Sequence, residues 1–354
     1  MVVRVLILGD TFMNPEHFSR VVHNVLREAE VEAETKALCW PFKGYQQGKV
    51  KGIKRELKEF AGNPKELIQL IDDFDVLLVH VAPVTYEVMQ AARKLKIIGC
   101  ARGGPVNVDI DAATELGIPV LYVPARNAIA VAEHTIGLIL SISRNIARAH
   151  YRLKSGIWED EFYDFDKCGF ELRGKTIGLI GLGSVGIEVA RLATAFGMRV
   201  ISFDPYVDED TMKSYGVEKV SLETLLKESD IISIHARLST ETKNLIGERE
   251  FAKVKKGAIL INTARGEIVD EEALIKAIKD GQISSAGLDV FYSEPLTPHH
   301  PLIKLEQVIL TPHIAGASKE TVYRAAKILA EDVVRIIRGE APRFCANPQV
   351  LTKR

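Results

Sequence analysis

Short apolar runs alternate with amphipathic stretches along most of the chain. Runs of strand length fall at residues 3–8, 33–38, 76–81, 95–100 and 120–123. Helical spacing fills the gaps between them, as at 15–30 and 85–94. Asn14 caps the first helix, Pro15 suits its first turn, and Glu16 favours the positive end of its dipole. Residues 40–52 break the rhythm. Three aromatics, three glycines and several lysines there predict a long loop before another helix. Residues 130–153 predict one long helix, apolar on more than one face and so buried in a domain or against a partner chain. A second series follows, with strands predicted at 176–182, 199–204, 231–235, 258–263, 286–290 and 308–311. A last helix at 319–338 stops before Gly339. The alternation predicts an α/β fold with parallel sheets, repeated as two Rossmann-like units.

Length supports two units. A single core stops growing at roughly 250–300 residues, and this chain has 354. Lys plus Arg number 46 and Asp plus Glu 47, a formal net charge of -1. That balance removes the electrostatic footprint of a general nucleic-acid binder. No apolar run approaches the roughly 18 residues of a membrane span. The first nine residues read as a strand and not as a secretory leader, so a cytoplasmic protein is expected. Cys39, Cys100, Cys168 and Cys345 are widely spaced, which indicates neither a zinc site nor a disulfide framework. No metal is expected.

The first chemical signal is Gly181-Leu182-Gly183-Ser184-Val185-Gly186, which follows one predicted strand and opens a helix. The next strand ends at Asp204, as one βαβ unit requires. Gly181 permits the tight turn, Gly183 lets backbone approach a pyrophosphate, and Gly186 lets helix and strand pack closely. The helix N-terminus offers free N–H groups to phosphates. Asp204 can accept from ribose hydroxyls and would repel a 2′-phosphate, so NAD is favoured over NADP.

Three further strand ends lie in the same half of the chain. They carry Asn262-Thr263-Ala264-Arg265-Gly266, Gly287-Leu288-Asp289-Val290 with Glu294-Pro295, and Thr311-Pro312-His313. Ligands bind outside the carboxyl ends of strands in open α/β sheets, so Arg265, Glu294 and His313 converge there. Hydride transfer to a ketone makes an alkoxide that needs a proton. His313 can supply it near neutral pH. Glu294 would favour the imidazolium and orient the ring. Arg265 can hold a carboxylate and polarise the adjacent carbonyl.

With these motifs the chain resembles the D-isomer-specific 2-hydroxyacid dehydrogenases. Ala82-Pro83-Val84-Thr85, Asn107-Val108-Asp109 and Val131-Ala132-Glu133-His134-Thr135 also look like family segments. The resemblance implies that Arg265, Glu294 and His313 are catalytic and that Asp289 helps hold the nicotinamide carboxamide. It implies a cofactor-lining set of Thr135, Gly181, Gly183, Ser184, Val185, Gly186, Asp204, Pro205, His235, Ala236, Thr263, Ala264, Asp289 and Gly316. It places the substrate carboxylate against Arg265 and the backbone of Gly103 and Gly104. It also implies a flavodoxin-like substrate domain (residues 1–119 and 320–354), an inserted NAD-binding domain (residues 120–319), and a homodimer joined through the latter. Arg102 departs from the family loop, and a cation there can either contact a second anionic group or point away into an ion pair. Arg237 stands where proline is common. The expected reaction interconverts a small 2-keto acid and a D-2-hydroxy acid of the hydroxypyruvate, glyoxylate or phosphohydroxypyruvate class. The rival expectation is a non-catalytic NAD sensor that acts as a corepressor.

Overall fold

The computed structural model describes residues 2–41, 46–48 and 57–353. The chain divides into two compact units, Met1–Arg126 with Ala317–Arg354, and Asn127–Gly316.

The first unit contains β1 (Val3–Gly9), β2 (Ala33–Cys39), β3 (Gln46–Gly48), β4 (Leu57–Phe60), β5 (Val76–Val79), β6 (Ile97–Cys100) and β7 (Val120–Tyr122). Five of these form a parallel sheet in the order β2-β1-β5-β6-β7. Counted among the five alone, that order is 2-1-3-4-5, the flavodoxin-like winding. The central strands carry apolar residues on both faces because both faces are covered. The Pro15–Glu28 helix covers one face. Asn14 accepts from the N–H groups of Glu16 and His17 at its start. Its Phe18, Val22 and Leu26, spaced one turn apart, pack with Ala325, Leu329 and Val333 of the Lys319–Ile337 helix. Thus the chain's last long helix completes the core of its first unit.

The second unit contains β8 (Thr176–Ile180), β9 (Arg199–Phe203), β10 (Glu218–Lys219), β11 (Ile231–Ile234), β12 (Ala258–Asn262), β13 (Ile283–Leu288) and β14 (Val308–Leu310). All pair in parallel, in the order β10-β9-β8-β11-β12-β13-β14. That is the Rossmann order 3-2-1-4-5-6 with one more strand at the edge. The order reverses between β8 and β11, which opens the crevice where dinucleotides bind in this architecture.

Two expectations need correction. The long helix at 130–153 is two helices, Ala128–Ser143 and Ile146–Lys154. Asn145 breaks it with φ +55°, a left-handed conformation that asparagine tolerates better than most residues. The stretch 40–52 is not simply loop followed by helix. Gln46–Gly48 pairs antiparallel with Leu57–Phe60, and among the described residues the first helix afterwards is Pro64–Ile68. Residues 42–45 and 49–56 lie outside the described residues. Among the described residues, no helix is long and apolar enough to cross a membrane.

Candidate active site

The glycine loop begins where β8 ends. Gly181 has φ +96°, and a Cβ there would lie 2.8 Å from the Ala236 nitrogen and 2.9 Å from the His235 carbonyl carbon. Only glycine lets the loop after β11 pass so close. A Cβ on Gly186 would lie 2.4 Å from the Gly181 oxygen, so the helix start sits directly on the turn. Gly183 is different, because a Cβ there would meet nothing within 4 Å. Among the described residues no side chain caps the Ser184–Ala195 helix, so its first N–H groups face that open side. Asp204 Oδ2 accepts from the Leu182 N–H at 2.8 Å and Oδ1 from the Tyr206 N–H at 2.9 Å. The carboxylate is thereby fixed beside the loop. Burial pushes His235 down to about 3, so its ring is neutral. Its Nδ1 is buried with no hydrogen-bond partner among the described residues. An open glycine cradle, uncapped N–H groups and an orphaned acceptor or donor fit a bound dinucleotide.

β12 delivers the arginine. Asn262 shapes its exit: its Oδ1 accepts from the Ala264 N–H at 3.0 Å and its Nδ2 donates to the Arg265 carbonyl at 2.9 Å. Thr263 and Thr135 hydroxyls lie 2.9 Å apart. Thr135 donates to the Val131 carbonyl, so it accepts from Thr263 and ties β12 to the Ala128–Ser143 helix. Gly266 packs on the backbone of Phe291. Arg265 is thus held next to the segment that carries Glu294.

Glu294 and His313 meet directly. His313 Nδ1 lies 2.7 Å from Glu294 Oε2, and Glu294 Oε1 accepts from the Phe291 N–H at 3.1 Å. The Glu294 bond raises the His313 pKa above its ordinary value, against burial and the Arg265 charge. Burial would raise Glu294, but the His313 bond and charge outweigh it and keep the carboxyl low. With Nδ1 committed to the carboxylate, Nε2 is the nitrogen that can hand over a proton.

Asp289 builds the turn under His313. It is fully buried, and its Oδ1 accepts from the Thr311 hydroxyl at 2.6 Å and the Ile314 N–H at 2.9 Å. Its Oδ2 accepts from the Ala315 N–H at 2.8 Å. The Asp289 carbonyl receives the His313 N–H at 2.9 Å, and His313 has φ +54°. Thr311 gives its proton to Asp289, so it accepts from His134 Nε2, 3.1 Å away. Gly316 ends the turn against Asn127, whose Nδ2 would lie 2.6 Å from a Cβ there.

In the first unit, Arg102 reaches Glu59, with 2.8 Å to its carbonyl and a second bond to its carboxylate. Its guanidinium is therefore engaged in an ion pair, the second of the two readings open for it. Gly103 and Gly104 follow, and a Cβ on Gly104 would meet nothing within 4 Å.

Comparison with known proteins shows the family of the chain. Residues 136–315 match the family described as D-isomer specific 2-hydroxyacid dehydrogenase, NAD binding domain. The chain is 44% identical over 297 residues to D-3-phosphoglycerate dehydrogenase of Archaeoglobus fulgidus, covering 84% of this chain and 55% of that protein. It is 40% identical over 297 residues to glyoxylate reductase of Korarchaeum cryptofilum, covering 84% of this chain and 90% of that protein. The chain belongs to the D-isomer-specific 2-hydroxyacid dehydrogenase family. It spans about half the length of the first relative and nine-tenths of the second. The apo-structure of D-lactate dehydrogenase from Escherichia coli aligns with a TM-score of 0.73 at 28% identity, over 98% of this chain and all of that one. This chain has Arg265, Glu294 and His313 after the ends of β12, β13 and β14.

Three residues with structural work in this candidate site have no role in the sequence reading. Asn262 turns the Arg265 segment, Gly266 permits its close approach, and Thr311 links His134 to Asp289. Asp289 already accepts three hydrogen bonds from its own chain, so a cofactor amide would be a fourth for about four lone-pair sites. Asp289→Asn should therefore destabilise the fold. Either amide orientation sets an NH2 against the N–H of Ile314 or Ala315. The expected cost is about 1–3 kcal/mol, read from denaturant unfolding. Unchanged stability would show that the turn does not depend on the carboxylate.

Proposed function

We propose that this dehydrogenase reduces a small 2-keto acid to its D-2-hydroxy acid with NADH, or runs the reverse, with His313 as the acid–base. The observation that carries the reading is the 2.7 Å His313–Glu294 contact beside Arg265. Bound NADH supplies the hydride. Arg265 holds the substrate carboxylate and polarises its keto group. His313 Nε2 gives its proton to the developing alkoxide. Glu294 keeps the ring oriented and stabilises the imidazolium before transfer. Thr135, Thr263, Ala264, His235, Ala236, Pro205, Asp289 and Gly316 line the cofactor, and Asp204 excludes a 2′-phosphate in favour of NAD. Hydroxypyruvate, glyoxylate and phosphohydroxypyruvate are the substrates of choice.

The protein is proposed as a cytoplasmic homodimer joined through the second unit. The Ile146–Lys154 helix has no buried residue. Tyr151, Trp158, Tyr163 and Phe165 are all exposed on it and just after it, Tyr163 by 94% and Phe165 by 90%. Large aromatic side chains left in water mark an interaction surface.

A steady-state screen of 2-keto acids with NADH and NADPH side by side tests the reading. Turnover of at least one acid, faster with NADH, is expected. Tight NADH binding with no turnover across the panel would overturn it and favour a sensor. The pH profile is a second check. Reduction needs the imidazolium, so kcat/KM falls as pH rises through the raised His313 pKa. In the oxidation direction it rises there instead. Glu294→Gln removes the negative charge that raises that pKa. Its falling limb should move to lower pH, and an unmoved limb would dissociate Glu294 from the proton transfer.

A further inference from the structure

Glu294 stands on the segment between β13 and the short 3-10 turn Pro301–Lys304. Tyr292, Ser293, Glu294 and Pro295 are exposed there, and so are Thr297, Pro298 and His299. Among the described residues, no backbone N–H from Tyr292 to His299 donates to a backbone carbonyl. The segment is therefore shaped by what grips it from outside. At its two ends Phe291 and Leu302 are buried, in one apolar cluster with Leu274 of the Glu271–Lys279 helix. A single carboxylate at the start of that helix then takes a polar group from each end. Glu271 Oε1 lies 2.9 Å from His300 Nε2, and Glu271 Oε2 accepts from the Tyr292 N–H at 3.4 Å.

The tautomer follows from the partners. His300 Nδ1 accepts from the Leu302 N–H at 3.4 Å, so Nε2 carries the ring proton and donates it to Glu271. The bond needs no charge on the ring. The His300 and Glu271 side chains are 21% and 20% exposed, so water competes little for it. Glu271 and Glu272 both lie in the first turn of their helix, where the dipole favours any carboxylate. That favour requires no contact with another segment. Glu271 differs because its oxygens bond residues on either side of Glu294. Tyr292 adjoins Phe291, whose N–H is the one that Glu294 Oε1 accepts. A change at Glu271 thus reaches the Glu294 carboxylate through neighbouring peptide units, and through that carboxylate it reaches His313.

We propose that Glu271, paired with His300, is a positioning residue that holds the 291–300 segment so that the Glu294 carboxylate stays against His313. The inference rests on the dehydrogenase reading for its catalytic meaning and adds two residues to it. Neither residue touches the reacting atoms. The chief charges that act on His313 are those of Glu294, Arg265 and Asp289, so Glu271 acts on it only through the segment it holds. With that segment released, the Glu294 bond weakens. Burial and the Arg265 charge then prevail, and the imidazolium is disfavoured.

The test is NMR titration of the full chain with isotope-labelled histidine, which needs no turnover. The His313 signal is assigned by its loss in His313→Asn. In Glu271→Ala its titration midpoint should fall, in the same direction as in Glu294→Gln. kcat/KM should fall by about 10- to 100-fold, with NADH affinity within about threefold of normal. The His300 variants give a second reading should Glu271→Ala fail to fold. His300→Ala removes the donor and should lower the His313 midpoint, whereas His300→Gln keeps an N–H for Glu271 and should restore most of it. A lower melting temperature with an unmoved His313 titration would make Glu271 a residue of the helix start alone and overturn the proposal. Equal midpoints in the two His300 variants would overturn it as well. The keto-acid screen above decides the dehydrogenase reading separately, since the titration is read without substrate.

Discussion

His313→Ala should lower turnover of the best 2-keto acid by about 10²- to 10⁴-fold, the usual worth of a positioned acid–base. NADH affinity should change little. The effect is geometric before it is electrostatic. The Asp289 carbonyl holds the His313 N–H, and the Asp289 carboxylate holds the N–H groups of Ile314 and Ala315. The turn therefore presents the imidazole in one place. Glu294 then fixes the ring through Nδ1, which leaves Nε2 for the substrate. Because Glu294 raises the His313 pKa, a larger share of the enzyme is in the acid form at neutral pH. Removing the ring removes the donor and leaves the cradle intact. His313→Asn serves as the second variant, because asparagine tolerates the φ of +54° at this position and lacks the acid. Both variants should bind NADH and both should be slow. Near-normal turnover in either would sink the assignment of His313.

The architecture was legible because strands and helices of a doubly wound fold differ in period. Residues 3–8 and 76–81 are short apolar runs bounded by turns, and they became β1 and β5. The break at Asn145 was hidden, because apolar spacing continues on both sides and nothing nearby forces a stop. The antiparallel pair β3 and β4 was hidden for another reason. It lies in a lysine- and glycine-rich stretch without period-2 alternation.

The candidate site divides in the same way. Gly181 to Gly186, Asp204 and the three strand-end motifs carry local signatures, since each needs residue types at fixed spacing. Glu271 and His300 carry none, since they meet only in the fold. For Arg102 the sequence left two readings open, contact with a second anion or an ion pair, and the partner of the ion pair, Glu59, comes from β4, an element the pattern did not show. Gly266 is an intermediate case. Its place beside Arg265 is visible, while the reason for a glycine lies some 25 residues further on, at Phe291.

That contact carries the second large effect. Gly266→Ala should lower kcat/KM by about 100-fold, the usual result of moving catalytic groups by roughly 1 Å. A Cβ on Gly266 would lie 2.0 Å from the Phe291 carbonyl carbon, 2.1 Å from its oxygen and 2.5 Å from the Tyr292 nitrogen. Carbon atoms in contact sit about 3.5–4.0 Å apart, so one backbone must retreat by about 1 Å or more. All three atoms belong to main chain, and no flexible side chain can yield instead. If the 291–292 segment moves, the Phe291 N–H leaves Glu294 Oε1 and the carboxylate loses its place against His313. If the Gly266 segment moves, Arg265 goes with it. Either retreat separates Arg265, proposed to bind the carboxylate, from the Glu294–His313 pair proposed to supply the proton. The overpacking should also cost about 1–3 kcal/mol of stability. NADH affinity is the internal control, because the Gly181–Gly186 cradle lies at the end of β8. A variant with lowered kcat/KM and near-normal NADH affinity locates the damage in the acid–base set. Normal kcat/KM would mean that the close approach of the two segments is not what sets their catalytic geometry.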